Sequence, residues 1–424
     1  MDEKLAIFGG PKAVTQDWGE VTRWPIITEE DEAAVLEVLR SGDMSGTGVT
    51  KAFEKDCTEY FGVPYCLAHC NGTAALLGAM FACGVRVGDE IICPSVTYWA
   101  SALPCFSLGA SVVFADSDLD TLNIDPADIE HRITDRTKAI VVVHYCGYPC
   151  EMDEIMAIAR KHNVKVIEDV SHAHGALYKG RMTGSIGDVA AMSIMSQKSL
   201  VAGEGGLLMT HDRRLWERAV AFGHYERHGE LTDPELIPFK GYPFGGVKHR
   251  IVQLGSALGR VQLKHYQARI EEIQRAMNYF WDLLDGCPGV KAHRPAKDSG
   301  STMGGWYAAK GLYRAEELGG LDIGKFCEAV RAEGCNIHPG ANPPMHLHPL
   351  FNECDIYGHG KPTRNAHAGR DLRQGPGSLP VSERIAATVY HIPHFKHVHK
   401  QAIEEHASAI RKVAHHADQL APEA

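Results

Sequence analysis

The sequence lacks an excess of positive charge and has no Cys-x-x-Cys pair of the kind that binds a metal. Its 43 lysine and arginine residues are outnumbered by 53 aspartate and glutamate residues, which gives a formal net charge of -10. Proteins that bind a nucleic-acid backbone need basic faces, so nucleic acid is not expected as a partner. The 12 cysteines are scattered without a Cys-x-x-Cys pair, a pattern typical of reduced thiols and not of a zinc knuckle or a disulfide framework.

A hydrophobic run long enough to cross a membrane is also missing. The longest uncharged stretch, residues 91–115, is interrupted by Pro94, Pro104 and Gly109. A span needs about twenty predominantly apolar residues, so we interpret this stretch as strand, turn, helix and strand within a folded core. The first residues are acidic and do not resemble a signal peptide. We therefore expect a cytoplasmic protein with no membrane partner.

Short apolar runs alternate with helical patterns through the first half of the chain. This alternation predicts an α/β fold with a mostly parallel sheet flanked by helices. The runs are Tyr65 to Ala68, Ile91 to Cys93, Ser111 to Ala115, Ala139 to Val143, Val164 to Ile167, Val189 to Met192 and Leu207 to Met209.

The length of 424 residues exceeds what one hydrophobic core usually holds, which predicts two domains. Residues 1–28 are expected to form an irregular arm. Residues 29–285 would form the large domain and include a long linking helix. Residues 286–424 would form a smaller carboxyl-terminal α+β domain.

Lys198 lies in a segment that favours a sheltered lysine. An apolar run from Val189 to Met195 precedes it, a Gly-Glu-Gly-Gly turn follows it, and Glu204 is the one carboxylate nearby. Most lysines are solvated, because burial of an ammonium group is costly. A desolvated lysine has a lowered pKa and can act as an amine nucleophile that holds an aldehyde cofactor as a Schiff base. We interpret Lys198 as a catalytic residue.

Two signals before Lys198 suit pyridoxal phosphate. Asn71-Gly72-Thr73-Ala74 opens a predicted helix, whose amino-terminal N–H groups can hold a phosphate. Tyr98 follows the next strand, where its ring could stack on a flat cofactor. An ordinary strand-to-helix turn and a core aromatic are the alternatives.

Three further residues complete this order of signals. Asp169 ends a predicted strand and could pair with the pyridine nitrogen of the cofactor, and His172 could reach the ring hydroxyl. Ser193, five residues before Lys198, could contact the phosphate or orient the lysine. Each residue alone could be a cap or a structural side chain, but the order of all five signals is difficult to obtain by chance.

These motifs resemble the DegT/StrS family of pyridoxal phosphate-dependent sugar aminotransferases. The motifs that carry the resemblance are Asn71-Gly72-Thr73-Ala74, Pro94-Ser95-Val96-Thr97-Tyr98, residues 168–175, Gly187-Asp188, residues 193–206, residues 379–383 and His391-Ile392-Pro393. They extend over nearly the whole chain. The opening, Leu5 to Pro11 with Trp24-Pro25, is similar to the branch that contains glutamine:scyllo-inosose aminotransferases and aminohydroxybenzoate synthases.

The resemblance implies a fold-type I aminotransferase that forms a homodimer, with each site completed by the partner subunit. Lys198 would be the catalytic residue that carries the cofactor. The cofactor-binding residues implied by the family are Gly72, Thr73, Ala74, Tyr98, Asp169, His172, Ser193 and Lys198, together with Lys248 and Arg250 from the partner. The family usually has Asn-x-Arg at the last two positions, so Lys248 is a departure, although a lysine can still offer a point charge to a phosphate.

The implied reaction moves an amino group from glutamine or glutamate to a keto-cyclitol of the scyllo-inosose type or to a keto-sugar. Three alternatives stay open: a lyase of the aminohydroxybenzoate synthase type that uses the same lysine, a non-enzymatic cofactor-binding or regulatory protein, and a metal enzyme that uses His346-Leu347-His348. No carboxylate triad accompanies that histidine pair, so no metal is expected. Residues 342–351 are instead expected to form part of the acceptor pocket.

Overall fold

The computed structural model describes residues 4–420. Seven strands form the large sheet, in the spatial order β1-β9-β8-β5-β4-β2-β3. The strands up to residue 210 are β1 (Tyr65–His69), β2 (Glu90–Pro94), β3 (Ser111–Ala115), β4 (Thr137–Val143), β5 (Lys165–Asp169), β6 (Leu177–Tyr178), β7 (Arg181–Met182), β8 (Val189–Ser193) and β9 (Gly206–Thr210). The short strands β6 and β7 form a separate hairpin.

The large sheet is parallel except at β9, which runs antiparallel to both β1 and β8. Strands that are covered on both faces are expected to be continuously apolar, and β2, β3 and β9 are buried at every residue. The predicted mostly parallel sheet is therefore confirmed, and each of the seven apolar runs forms a strand of this sheet.

Helices cover the sheet and begin where the sequence offers capping residues. They are α1 (Gly19–Thr22), α2 (Glu29–Ser41), α3 (Gly48–Phe61), α4 (Gly72–Ala82), α5 (Pro126–Arg132), α6 (Met152–His162), α7 (Arg213–Gly223), α8 (Gln253–Leu283), α9 (Ile323–Ala332), α10 (Pro349–Asn352), α11 (Pro380–Arg384) and α12 (Lys400–His415). Helix α2 is representative: Thr28 and Asp31 form a capping box at its start, and Gly42, in a left-handed conformation, ends it. The helix expected within residues 91–115 is instead two short 3-10 helices, Trp99–Ser101 and Leu103–Leu108.

A second, four-stranded antiparallel sheet lies beyond helix α8. Its strands are β10 (Val290–Ala292), β11 (Lys310–Tyr313), β12 (His338–Pro339) and β13 (Val389–His391), in the order β10-β11-β13-β12. One hydrophobic cluster joins this sheet to α9, α12 and the carboxyl-terminal part of α8. Within the described residues, no helix is both long and apolar enough to cross a membrane.

The amino-terminal arm packs against the hydrophobic cluster of the second sheet. Leu5 is fully buried in it, and Trp18 donates a hydrogen bond from Nε1 to Glu405 of α12 at 3.0 Å. Trp24 reaches further, to the carbonyl oxygen of Lys198 at 2.8 Å. Residues 1–3 of the expected arm and residues 421–424 of the expected small domain lie outside the described part of the chain.

Candidate active site

A cavity of about 630 Å³ opens at the carboxyl ends of the parallel strands, between the large sheet and the second sheet. This edge is where ligands bind in open α/β sheets. Most of the residues predicted from the sequence line it: Gly72, Thr73, Tyr98, Asp169, His172, Ser193 and Lys198. Ala74, Lys248 and Arg250 do not.

Lys198 lies in the loop that joins β8 to the antiparallel strand β9. Its side chain is buried, with the whole residue 8% exposed, and Nζ lies 4.0 Å from the ring centroid of Tyr307. Burial lowers the pKa of Lys198 to about 8, although the nearby carboxylate of Asp169 acts in the opposite direction. About a tenth of the amine is therefore unprotonated at pH 7, and this form can act as a nucleophile or a base.

Buried side chains hold the Lys198 loop in place. His174 bridges the two ends of the segment, with Nε2 at 2.8 Å from the carbonyl oxygen of Ser193 and Nδ1 at 3.2 Å from Oγ of Ser199. Tyr266 of α8 donates its hydroxyl to the same Ser199 Oγ at 3.1 Å. Sequence reasoning missed Ser199 and Tyr266, because nothing local connects two residues that are 67 positions apart.

Asp169 presents a fixed carboxylate at the end of β5. Its Oδ2 accepts a hydrogen bond from Ser101 Oγ at 2.7 Å, and its Oδ1 accepts one from the backbone N–H of Ser171 at 3.1 Å. Asp169 is only 4% exposed, so these bonds restrict its rotation. The arrangement suits a charge-assisted hydrogen bond to a protonated ring nitrogen. Ser101 carried no sequence signal.

His172 is neutral and oriented. Burial and the charge of Lys198 place its pKa well below the usual range, and its Nδ1 accepts a hydrogen bond from the backbone N–H of Cys146 at 3.2 Å. This contact assigns the proton to Nε2, which can donate. The His172 ring lies 4.6 Å from that of Tyr307, centroid to centroid. Tyr98, which is 51% exposed, leaves its ring accessible at the mouth of the cavity.

The start of α4 forms a close cradle against the end of β8. Asn71 caps the helix by accepting a hydrogen bond from the N–H of Ala74 at 2.8 Å, and the N–H groups of Gly72 and Thr73 have no acceptor within the helix. An added Cβ at Gly72 would lie 2.6 Å from Cβ of Ser193, so only glycine fits. The cradle can accept a phosphate, as helix amino termini do. With Asp169 as the acceptor for a ring nitrogen and Lys198 as the amine, these residues fit the groups of pyridoxal phosphate.

We expect Gly72→Ala to weaken binding of pyridoxal phosphate by about 10-fold or more, because the new methyl group must displace Ser193 or the helix start, at a cost of about 1–3 kcal/mol. Fluorescence titration of the apoenzyme with the cofactor measures this change. Gly48→Ala is the matched control, since Gly48 also opens a helix and its added Cβ has only an ordinary contact at 3.8 Å. Equal affinities of the two variants for pyridoxal phosphate would contradict the role of the α4 start in binding the phosphate.

Lys248 and Arg250 lie outside the cavity of their own subunit. Lys248 is exposed, with Nζ 5.7 Å from the Tyr225 ring, and Arg250 forms an isolated antiparallel bridge with His69. Both were predicted to act in the partner's site, and that role stays a prediction.

The histidine pair considered for a metal does not converge. His346 is fully buried, and its ring nitrogens lie 2.7 Å from Ser95 Oγ and 3.1 Å from Glu383 Oε1. His348 instead caps α10 through Nδ1. The described residues contain no group of three or more histidine, cysteine, aspartate or glutamate side chains arranged to hold a metal ion. Of the segment 342–351, Asn342 and Pro343 line the cavity.

Three buried histidines predict a loss of stability in mild acid. Burial lowers the pKa of His174 and His224 to about 3 and that of His293 to about 4. The unfolded chain takes up these protons below pH 6.5 while the native state does not, so stability is greatest above pH 6.5 and falls as the pH drops towards 4. We expect each of these histidines to lower the free energy of unfolding by about 2 kcal/mol when the pH falls from 7 to 5.

Urea denaturation at pH 7 and pH 5 tests this expectation. His224→Asn should reduce the difference between the two midpoints, whereas the exposed His211→Asn should leave it unchanged. A midpoint of the unsubstituted protein that does not move between these pH values would contradict it.

The fold and the site define the class of protein, a pyridoxal phosphate-dependent aminotransferase. Residues 25–411 match the model of the DegT/DnrJ/EryC1/StrS aminotransferase family. The chain therefore belongs to this family.

Relatives differ in the substrate or product that their names indicate. L-glutamine:2-deoxy-scyllo-inosose aminotransferase of Streptoalloteichus tenebrarius is 31% identical, with 99% of this chain and 100% of the relative covered. GDP-perosamine synthase of Caulobacter vibrioides is 37% identical over 60% of this chain and 67% of its own. The crystal structure of an aminotransferase from Psychrobacter cryohalolentis superposes with a TM-score of 0.81 at 29% identity, and covers 94% of this chain and 100% of its own. These findings establish a sugar aminotransferase.

Proposed function

We propose that the enzyme transfers an amino group from glutamine or glutamate to a keto-cyclitol of the scyllo-inosose type. The observation that carries the proposal is the sheltered amine of Lys198 beside the fixed carboxylate of Asp169, in one cavity with the α4 cradle. The full-length similarity to a scyllo-inosose aminotransferase supports the choice of acceptor. A nucleotide-linked keto-sugar is the second candidate, because a GDP-perosamine synthase is also similar.

The cofactor-binding residues would each hold one part of pyridoxal phosphate. The N–H groups of Gly72 and Thr73, with the hydroxyl of Ser193, would bind the phosphate, and Ala74 supports them through its bond to Asn71. Asp169 would bind the ring nitrogen, His172 Nε2–H would face the ring oxygen, and Tyr98 would cover the ring. When bound, the cofactor supplies an aldehyde for the amino group and a ring that accepts electrons from the substrate carbon.

Lys198 would move the proton in both halves of the reaction. With a pKa lowered to about 8, Nζ can accept the proton from the α-carbon of the amino donor and deliver it again on the same side. Asp169 would keep its charge opposite a protonated ring nitrogen throughout. The buried loop contacts of His174 and Tyr266 would hold Nζ within reach and exclude water.

The proposed assembly is a homodimer in which the segment 225–250 reaches the partner's site. This segment exposes several large apolar side chains next to Lys248: Tyr225, Ile237, Phe239, Tyr242 and Phe244. Exposed apolar patches of this kind mark interaction surfaces. Arg250 and Lys248 would then offer positive charge to the phosphate of the partner's cofactor.

A lyase of the aminohydroxybenzoate synthase type would need the same lysine and the same cofactor, so products must separate the two. The holoenzyme is incubated with glutamine or glutamate and a panel of keto-cyclitols and nucleotide-linked keto-sugars, and product masses are read. We expect an aminated cyclitol. Amination of nucleotide-linked sugars alone would favour the second candidate, and a dehydrated aromatic product without amination would favour the lyase.

A further inference from the structure

The cavity contains a second buried lysine, Lys310, which belongs to the small sheet, whereas Lys198 follows a strand of the large sheet. Lys310 is the first residue of β11 in the small sheet and is only 2% exposed. Its position results from strand register, because β11 pairs with β13 so that Lys310 faces His391. Both residues line the cavity.

Lys310 has neutral hydrogen-bond partners. Its Nζ donates to the carbonyl oxygen of Gly340 at 2.9 Å and lies 2.5 Å from Nε2 of His391. Burial lowers the pKa of His391 to about 4, so this ring is an uncharged acceptor at neutral pH. An ammonium group with three donors and two neutral acceptors keeps one donor for a ligand.

No carboxylate compensates the charge of Lys310 within residues 4–420. It forms no ion pair there, and the acids that line the cavity are Asp169 and Glu204. The carboxylate of Asp169 raises the pKa of Lys198 and accepts a hydrogen bond from Ser101, so it is already engaged. Glu204 is exposed to solvent. Burial lowers the pKa of Lys310 to about 8. A buried cation without a counterion gains when a ligand supplies one.

The amino donor supplies such an anion close to its reacting atom. In an α-amino acid the carboxylate is attached to the same carbon as the amino group, so a residue that binds the carboxylate also orients that carbon. Lys198 and Lys310 both act electrostatically on His172 and Cys146, which places the two amines around the same part of the cavity. Tyr307, which contacts Lys198 Nζ, is three residues before Lys310.

We propose that Lys310 binds the α-carboxylate of the amino donor. This inference rests on the proposed aminotransferase reaction with an amino-acid donor. In this arrangement, residues at the large sheet carry out the reaction, and Lys310 of the small sheet positions the amino donor. The cofactor phosphate is a less suitable ligand for Lys310, because the α4 cradle and Ser193 belong to the large sheet.

The test uses analogues of the amino donor that can bind but cannot complete the transfer of the amino group. α-Methyl-L-glutamine has no α-hydrogen, and its α-carboxamide counterpart lacks only the carboxylate charge. Calorimetric titration of the holoenzyme measures both dissociation constants in the unsubstituted protein, in Lys310→Met and in Lys310→Arg. We expect Lys310→Met to weaken α-methyl-L-glutamine about 10- to 100-fold and the carboxamide less than about threefold. Lys310→Arg should recover part of the loss.

Each other outcome has a distinct meaning. Equal weakening of both ligands, or no weakening of either, would overturn the role of Lys310 and leave the aminotransferase proposal intact. Weaker binding of nucleotide-linked keto-sugars alone would also overturn it, and would assign Lys310 to acceptor phosphates. Failure of the unsubstituted holoenzyme to bind either α-methyl-L-glutamine or α-methyl-L-glutamate would contradict an amino-acid donor, and with it the role of Lys310. The thermal midpoint of each variant verifies that it is folded.

Discussion

Lys198→Ala is expected to reduce turnover by about 10⁴-fold or more and to remove the visible absorbance of the lysine-bound cofactor. The variant loses the cavity amine that lies beside Asp169, and with it both the proposed covalent attachment point and the base. Stopped-flow absorbance with glutamine and steady-state product analysis measure the two effects. Because removal of the buried amine also removes the cost of its desolvation, the thermal midpoint should change much less than the activity.

Lys264→Ala is a suitable control for that variant. Lys264 is on the surface of α8 in an ion pair with Glu30, and its removal should leave turnover and absorbance unchanged. Retained absorbance and turnover in Lys198→Ala would show that another residue carries the cofactor, and Lys310 would then be the first to examine.

Asp169→Asn is expected to reduce turnover by about 10²- to 10³-fold with little loss of folding stability. Asparagine keeps an oxygen that can accept the hydrogen bond from Ser101, but it removes the charge that would hold the ring nitrogen protonated. The ratio of kcat between the variant and the unsubstituted enzyme, at saturating cofactor, is the direct measurement.

Ser101→Ala separates charge from orientation. It removes the 2.7 Å bond to Asp169 but keeps the carboxylate, so turnover should fall by about 10-fold or less. If Asp169→Asn were no worse than Ser101→Ala, Asp169 would be a structural cap at the end of β5.

The parts of the fold that follow from local chemistry could be predicted from the sequence. Capping residues such as Thr28 and Asn71 predict helix starts, and the apolar runs predict strands. Both rules act over a few residues only. The residues at the ends of strands, such as Asp169, could be placed in the cavity because parallel strands end at one edge. These predictions needed no knowledge of distant contacts.

The parts of the site that depend on long-range register could not be predicted. Lys310 faces His391 only because β11 and β13 pair in one register, and Ser199 meets Tyr266 only because α8 lies against the Lys198 loop at that point. The reversed direction of β9 was also not foreseen, since an apolar run carries no sign of its direction. The resemblance to a family implied roles for single residues. The structure shows which side chains contact those residues.

The reversal of β9 has a consequence for the entropy of catalysis. Ser193 and Gly206 are paired across β8 and β9, so the segment 194–205 is a loop whose ends are already joined when the sheet forms. The cost of closing that loop is therefore met once, by folding, and is not repeated in each catalytic cycle. A lysine in a longer connection, such as the crossover between two parallel strands, would carry a larger entropic cost of loop closure. Because β8 and β9 pair at both ends of this loop, Nζ is confined before the substrate binds. This confinement raises the effective concentration of the amine at the reacting carbon.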